Sequence, residues 1–461
     1  MPKVGLADRL FLAVESAETP QHVGSVSTYV IPDGADDAFV RNLVRDMRAQ
    51  ATYAPPFNYR LRSLRRKRIA PAWDVLADDE IDLDYHFRHS ALPKPGGERE
   101  LGVLVSRLHS TPLDPERPLW EMHLIEGLEH NRFAILVKIH HALIDGMGAL
   151  SRVHQTICPD PDSRLVRPLW TVGPAGRKPT DNSGLGFGQK TKERLRTTGA
   201  IASTALDMIR DARKQENPDA AIPFVAPKSV LNGPVGRQRR VATQTYEFTR
   251  INRVAKTAGV TVNEVFLAIC AGGLRRYLDE IGDLPAQSLT AGTPVSIRIE
   301  GDDAATNAFT VAVMKLCTHI EDPVERVAAI ARSSVHAKNH LRALPRGALE
   351  LYPSLFMGPF MAQNMIGIGG KVAPPYNVSI SNVQGSKQVQ YLAGARMESL
   401  NGIAMLYHGV ALIITSCTTS GNFGIGFTGD RDALPHLQRL AVYTGEALDE
   451  LEQAIDSPTS S

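Results

Sequence analysis

An apolar run from Phe133 to Ile139, stopped by His140-His141-Ala142-Leu143-Ile144-Asp145-Gly146, constrains this chain more than any other stretch. The run is predicted to be a strand buried in a sheet, and Gly146 to Ile157 is predicted to be a helix. Two histidines therefore stand where a strand stops. A neutral imidazole, with an ordinary pKa of about 6.5, can take a proton from a hydroxyl near neutral pH. Asp145 follows His141 closely enough to turn back beneath the loop and hold the ring, and Gly146 allows backbone angles closed to other residues. Two histidines ending a strand and an Asp capping the next helix would satisfy the same pattern. His and Asp are also metal ligands, but no His, Cys or Glu follows at the usual short ligand spacing, so no metal is expected.

At 461 residues the chain exceeds the size at which one hydrophobic core stops growing, and two domains are expected. A formal charge of +2 gives no global pull toward nucleic acid or an anionic membrane. No nucleic-acid motif is present. Asp8, Arg9 and Glu15 interrupt the only N-terminal stretch that could serve as a secretory signal core, and no segment offers the roughly 20 uninterrupted apolar residues of a spanning helix. Cys158, Cys270, Cys317 and Cys417 are far apart and fit reduced thiols in cytoplasm rather than a disulfide frame.

Along the first half, strand-like and helix-like segments alternate. Gly24 to Ile31 and Trp120 to Glu126 are expected strands; Asp36 to Gln50 and Glu98 to Thr111 are expected helices. Pro and Gly punctuate residues 166–240, with a basic helical stretch from Lys190 to Lys214, and the domain linker is placed there. This divides the chain into 1–165, carrying the paired histidines, a linker and crossing segment at 166–240, and 241–461. In the last part Ala242 to Phe248, Ser288 to Ile299, Asn307 to Leu316, Asn377 to Asn382, Gly409 to Cys417 and Asn422 to Thr428 are expected strands. Asn263 to Ile281, Pro323 to Leu344 and Leu434 to Ala454 are expected helices. The class is α/β with mixed sheets.

The histidine loop resembles the active-site signature of the CoA-dependent acyltransferase superfamily. Leu6-Ala7-Asp8-Arg9-Leu10-Phe11-Leu12, Glu15, Gln21-His22-Val23-Gly24, Pro118-Leu119-Trp120, Leu231-Asn232-Gly233-Pro234, Thr261-Val262-Asn263-Glu264-Val265, Pro294-Val295-Ser296-Ile297-Arg298 and Ser381-Asn382-Val383 are similar to the bacterial wax ester synthase/diacylglycerol acyltransferase family from about residue 6 to about residue 450. Glu264 stands where that family usually has Asp, and Gln384 where it has Pro. The resemblance implies two chloramphenicol-acetyltransferase-like domains, each a mixed sheet flanked by helices, with the site at their interface. It also implies transfer of a fatty acyl group from acyl-CoA, as substrate rather than cofactor, to a long-chain alcohol or a diacylglycerol. A carrier-bound donor, as in condensation domains, and a non-catalytic lipid-binding or lipid-droplet protein are the alternatives.

His141 is the expected base, Asp145 the residue that holds loop and ring, His140 a support for geometry or the oxyanion, and Gly146 the residue that lets the loop take φ values closed to others. Arg298 is expected to partner Asp145, because an unpaired buried carboxylate is costly. Asn263 is expected to cap its helix or border the channel. Trp120 buries a large apolar surface and reads first as scaffold. Leu351, Leu355, Phe356, Met357, Gly358, Phe360 and Met361, with Met405 and Leu406, fit either a core helix or an adaptable apolar wall for acyl or alkyl chains. The basic run Arg60, Arg62, Arg65, Arg66, Lys67 and Arg68 reads as a solvated face, an anionic-lipid contact or a site for CoA phosphates. Since no spanning helix is expected, attachment to membrane or lipid droplet would be peripheral. The sequence leaves the oligomeric state open.

Overall fold

The computed structural model describes residue 2 and residues 4–63, 70–174, 217–297, 308–343 and 346–457. In chain order these form α1 (Leu6–Val14), β1 (His22–Val30), α2 (Phe39–Arg48), β2 (Tyr59–Leu61), β3 (Trp73–Val75), α3 (Leu83–His86), β4 (Phe87–Ala91), α4 (Glu98–Ser110), β5 (Trp120–Leu128), β6 (Arg132–His140) and α5 (Gly146–Thr156). Then come β7 (Arg239–Glu247), α6 (Phe248–Thr257), α7 (Val262–Glu280), β8 (Thr290–Ile297), β9 (Ala308–Lys315), α8 (Pro323–Ala343), α9 (Arg346–Met365) and β10 (Val378–Val383). The chain ends with β11 (Tyr391–Leu392), β12 (Ala395–Ile403), β13 (Leu412–Thr419), β14 (Asn422–Asp430) and α10 (Leu437–Asp456).

Two mixed six-stranded sheets result, as the sequence led us to expect. The first runs β11-β12-β1-β6-β5-β4 and the second β7-β14-β13-β10-β8-β9. β5 and β6 are joined by the three-residue turn Glu129-His130-Asn131, in which His130 and Asn131 both take positive φ. β6 is central in its sheet and buried almost throughout, which explains its apolar sequence.

The division at residue 240 does not separate the two sheets. β11 and β12 come from deep within 241–461, yet β12 pairs antiparallel with β1 and completes the first sheet. Without it β1 would be an edge with a row of unpaired backbone groups. The local pattern announces β12 only weakly, because the alternation Ala395-Arg396-Met397-Glu398 is broken by Ser399, Asn401 and Gly402. β12 also packs against β13 and β14 of the second sheet. The backbone of Gly402 lies so close to Gly426 that a Cβ there would collide with it, so glycine is what lets the sheets touch.

A second join lies on the opposite face of the first sheet, where α4 packs on β7; Ser106 Oγ and Ser110 Oγ accept the Val241 and Arg239 amides at 2.9 and 2.8 Å. The larger core surrounds α7, whose residues from Val265 to Leu274 are all buried. The smaller core gathers Tyr29, Phe87, Trp120, Phe133 and Trp170. Cys270, Cys317 and Cys417 are buried free thiols and Cys158 is partly exposed. The expected basic helix from Lys190 to Lys214 lies outside the described residues, as do Arg65, Arg66, Lys67 and Arg68. Among the described residues, no single helix is long and apolar enough to cross a membrane.

Candidate active site

The loop from His140 to Asp145 is held by backbone bonds before any side chain acts. His140 donates its amide to Leu119 O at 2.9 Å, and His141 donates its amide to Gln21 O at 2.9 Å. His140 O in turn accepts from the amides of Leu143 and Ile144, which closes a tight turn. The Pro118-Leu119-Trp120 segment thus anchors the strand end. Trp120 itself is scaffold: its Nε1 donates to Phe57 O at 2.8 Å, and its ring stacks on His86 and Trp170.

His141 is half-buried, with the Phe11 ring of α1 tilted over it at 4.1 Å between centroids. Its Nδ1 is buried with no hydrogen-bond partner among the described residues. Burial pushes this imidazole down to about 4; the Asp145 carboxylate pulls it back up and His140 adds to the lowering. The ring is therefore neutral at physiological pH and able to accept a proton.

His140 is buried, hydrogen-bonded at Nδ1 and close to a carboxylate at Nε2, which makes no hydrogen bond among the described residues. Nδ1 accepts the Ala142 amide at 3.0 Å, and Nε2 faces Glu15 Oε1 at 3.3 Å. Asp145 does not hydrogen-bond the His141 ring. It is exposed and caps α5, accepting the Gly148 amide at 2.6 Å. The bland reading of this Asp as a helix cap is thus part of the answer, and it still acts on His141 through space. An exposed carboxylate does not require the buried cation for which Arg298 was expected; Arg298 lies outside the described residues. The guanidinium beside this turn is that of Arg152, which donates to Gly148 O at 2.9 Å and is stabilised in its charged form by Asp145.

Beneath the loop runs a buried polar layer that sequence reasoning missed. Lys138, fully buried, donates Nζ to Leu108 O at 3.1 Å and Thr111 O at 2.5 Å, and pairs with Glu121 at 3.4 Å. Burial alone would raise Glu121, but His123, Lys138 and Arg88 hold it down at about 2. His22, across the ladder from His140, places Nε2 at 2.8 Å from His109 O, and burial keeps both of these imidazoles neutral. Lys138 was the one signal: a cation inside an apolar strand requires buried partners.

A cavity of about 190 Å³ begins beside the histidine loop. Ile139 and Gly146, at the loop's two ends, line it with Ala149 and Leu150 of α5, Leu400 and Ile403 of β12, and Thr415 of β13. It therefore lies between the two sheets. The residues expected as a core helix or a channel wall do not line this cavity. Phe360 and Met361 are buried in the larger core, Met357 and Met405 pack against it, and Leu406 sits in a small cluster with Val235 and Ala411. Gly358 is exposed with open space around it. The side chains of Leu351, Leu355 and Phe356 lie outside the description. The Met and Gly content of α9 suits either reading: Met361 fills the core, Met357 packs against it, and Gly358 and Met365 face outward.

Asn263 is not the helix cap. Thr261 caps α7, its Oγ1 accepting the Glu264 amide at 3.4 Å while Glu264 accepts the Thr261 amide at 2.9 Å. Glu264 in place of Asp thus completes a capping box. Asn263 instead accepts from Asn382 Nδ2 at 3.4 Å, and Asn382 accepts from Ser416 Oγ, a cavity-lining residue, at 3.0 Å. Among the described residues no cluster of His, Cys, Asp or Glu could hold a metal ion.

Two mixed sheets joined by an exchanged strand, with paired histidines and a cavity at the join, define the condensation-type acyltransferase fold; the first condensation domain of the calcium-dependent antibiotic synthetase superposes at TM-score 0.58 over 100% of this chain and 99% of that one, at 16% identity. The wax ester synthase/diacylglycerol acyltransferase catalytic domain matches residues 5–266 and the WS/DGAT C-terminal domain residues 305–452, and the chain belongs to this family. The "Probable diacyglycerol O-acyltransferase tgs2" of Mycobacterium tuberculosis is 38% identical, over 97% of this chain and 98% of that protein. The O-acyltransferase WSD of Acinetobacter baylyi is 34% identical, over 97% and 96%. The wax ester synthase/diacylglycerol acyltransferase from Marinobacter aquaeolei VT8 superposes at TM-score 0.80 with 32% identity, covering 99% of this chain and all of that one.

Proposed function

We propose that this chain transfers a fatty acyl group from acyl-CoA to the hydroxyl of a long-chain alcohol or a diacylglycerol, giving a wax ester or a triacylglycerol. The observation that carries this reading is the neutral His141 on a loop whose two ends line an apolar inter-sheet cavity. With Nδ1 sealed from solvent, Nε2 is the nitrogen left to meet the hydroxyl. It takes the hydroxyl proton as the oxygen attacks the thioester carbonyl, the C–S bond breaks, and the proton passes to the departing thiolate. Ester and free CoA leave, and no acyl-enzyme or metal is needed. As the ring gains its proton, the Asp145 carboxylate stabilises the imidazolium across space. The cavity walls exclude water, which would otherwise hydrolyse the thioester.

Insoluble substrates and products call for peripheral attachment to a membrane or lipid droplet from the cytoplasmic side. Exposed Met365, Ile366, Ile368 and Val372, around the end of α9, supply an apolar surface for it. The test is purified protein with palmitoyl-CoA and either hexadecanol or a diacylglycerol, following free thiol and neutral lipid. His141→Ala should lose about 10² to 10⁴ in kcat. Turnover by the variant at more than about a tenth of wild type would overturn the base assignment, and turnover only with carrier-bound acyl thioesters would overturn the CoA donor.

A further inference from the structure

We propose that Glu15 is a positioning residue for the reaction, acting through His140. This rests on the acyltransferase reading of the site. The backbone amide of Ala142 points at His140 Nδ1, so that nitrogen carries no proton, and the proton of the neutral ring must sit on Nε2. Nε2 faces Glu15 Oε1 at 3.3 Å, and the ring around it is buried. With Nδ1 committed to the Ala142 amide and Nε2 placed beside the Glu15 carboxylate, His140 braces the turn that carries His141. Glu15 does a second thing at once, because its Oε1 also accepts the amide of Gln21 at 3.5 Å, and Gln21 O receives the amide of His141. One carboxylate thus bears on both histidines, through a ring on one side and a backbone segment on the other.

The turn that holds Glu15 is fixed from the second sheet. Arg239, the first residue of β7, is buried, donates Nη2 to Glu18 O, and pairs with Asp430 at 3.8 Å. Arg237 adds an ion pair to the Glu18 carboxylate at 3.3 Å. Ser16 Oγ accepts the amides of Glu18 and Thr19, which closes the turn on itself. Glu15 is therefore set by both sheets and is not a free surface side chain. Its charge is useful as well as its geometry: a carboxylate beside the far nitrogen of His140 favours the positive charge that develops on the neighbouring His141 ring.

Glu15→Gln keeps an acceptor without the charge, and Glu15→Ala removes both. The expected order of kcat is wild type, then Glu15→Gln, then Glu15→Ala, with the last down about tenfold or more, as for other orienting partners. KM for palmitoyl-CoA should stay within about twofold, since only an interaction that matters in the transition state is removed. Protein labelled with ¹⁵N-histidine, with the His140 signals assigned by their loss in His140→Gln, reports the tautomer and rigidity of the ring independently of turnover. All three proteins should keep the Nε2-protonated ring that the Ala142 amide fixes, but wild type and Glu15→Gln should hold it rigid and Glu15→Ala should leave it mobile, with broadened ring signals. A Glu15→Ala protein with more than half of wild-type kcat and an equally rigid His140 ring overturns the proposal; a lowered melting temperature with the kcat order lost makes Glu15 structural only and overturns it as well. If wild type releases no CoA with either acceptor, the acyltransferase reading fails, while the ring signals still decide the link between Glu15 and His140.

Discussion

The pH dependence of turnover follows from the burial of His141. Lowering its imidazole from 6.5 to about 4 corresponds to about 3.4 kcal/mol favouring the neutral ring in the folded protein. The sign is that of a base whose folded-state pKa is depressed: the competent form is present at high pH and is lost only as pH falls through about 4. At pH 5 a ring with pKa about 4 is about 0.9 neutral, whereas one with the ordinary value would be about 0.03 neutral. kcat/KM, which reports the free enzyme, should therefore hold near its pH 8 value at pH 5 and fall only below it. The stability of the fold runs in the same direction. Burial holds His109 at about 3 and His86 at about 4, so the folded protein keeps both neutral, and stability present above about pH 6.5 is lost as pH falls toward those values. For His109 alone the full loss is on the order of 4 to 5 kcal/mol. The assay is chromatographic separation of ester from palmitoyl-CoA in quenched samples between pH 4 and 8, with circular dichroism on the same solutions. Half-loss of kcat/KM near pH 6.5, with the dichroism unchanged, would refute the burial argument, because the titrating base would then be an ordinary exposed imidazole.

Ala149→Leu places extra methylenes into the 190 Å³ cavity and should move chain-length preference toward shorter substrates by about 1 to 3 kcal/mol per methylene, read as kcat/KM across a series of acyl-CoAs and alcohols. Gly358→Val, on the exposed face of α9, should leave that profile unchanged; a shift there would return the channel to α9. Lys138→Met strands the buried Glu121 carboxylate and should cost about 3 to 5 kcal/mol in urea unfolding, and adding Glu121→Leu should recover most of it. Strict additivity of the two changes would show that the pair is not coupled. Thr261→Ala removes the cap of α7 and should cost about 1 kcal/mol, whereas Asn263→Ala should not produce a capping loss.

Local signals in the sequence determined the strand from Phe133 to Ile139, the helix that follows it, the hairpin turn and the mixed α/β class. Each depends on residues near in sequence: apolar runs, His130 and Asn131 at positive φ, and a capping Asp. The histidine motif pointed to the proposed site for the same reason, since its turn is built within seven residues. The sequence left α9 open between core helix and channel wall because Met-rich and Gly-rich composition describes a core filler as well as a wall. Composition does not say which face a helix buries. Only the tertiary structure decided that β12 leaves its own half to seal β1, that the cavity lies between the sheets where the glycines of β12 and β14 let the backbones meet, and that Glu15 stands against a histidine 125 residues later in the chain. Those contacts are fixed by the pairing of edges and the burial of charge across long loops, and a linear pattern carries no record of which distant segment will satisfy them.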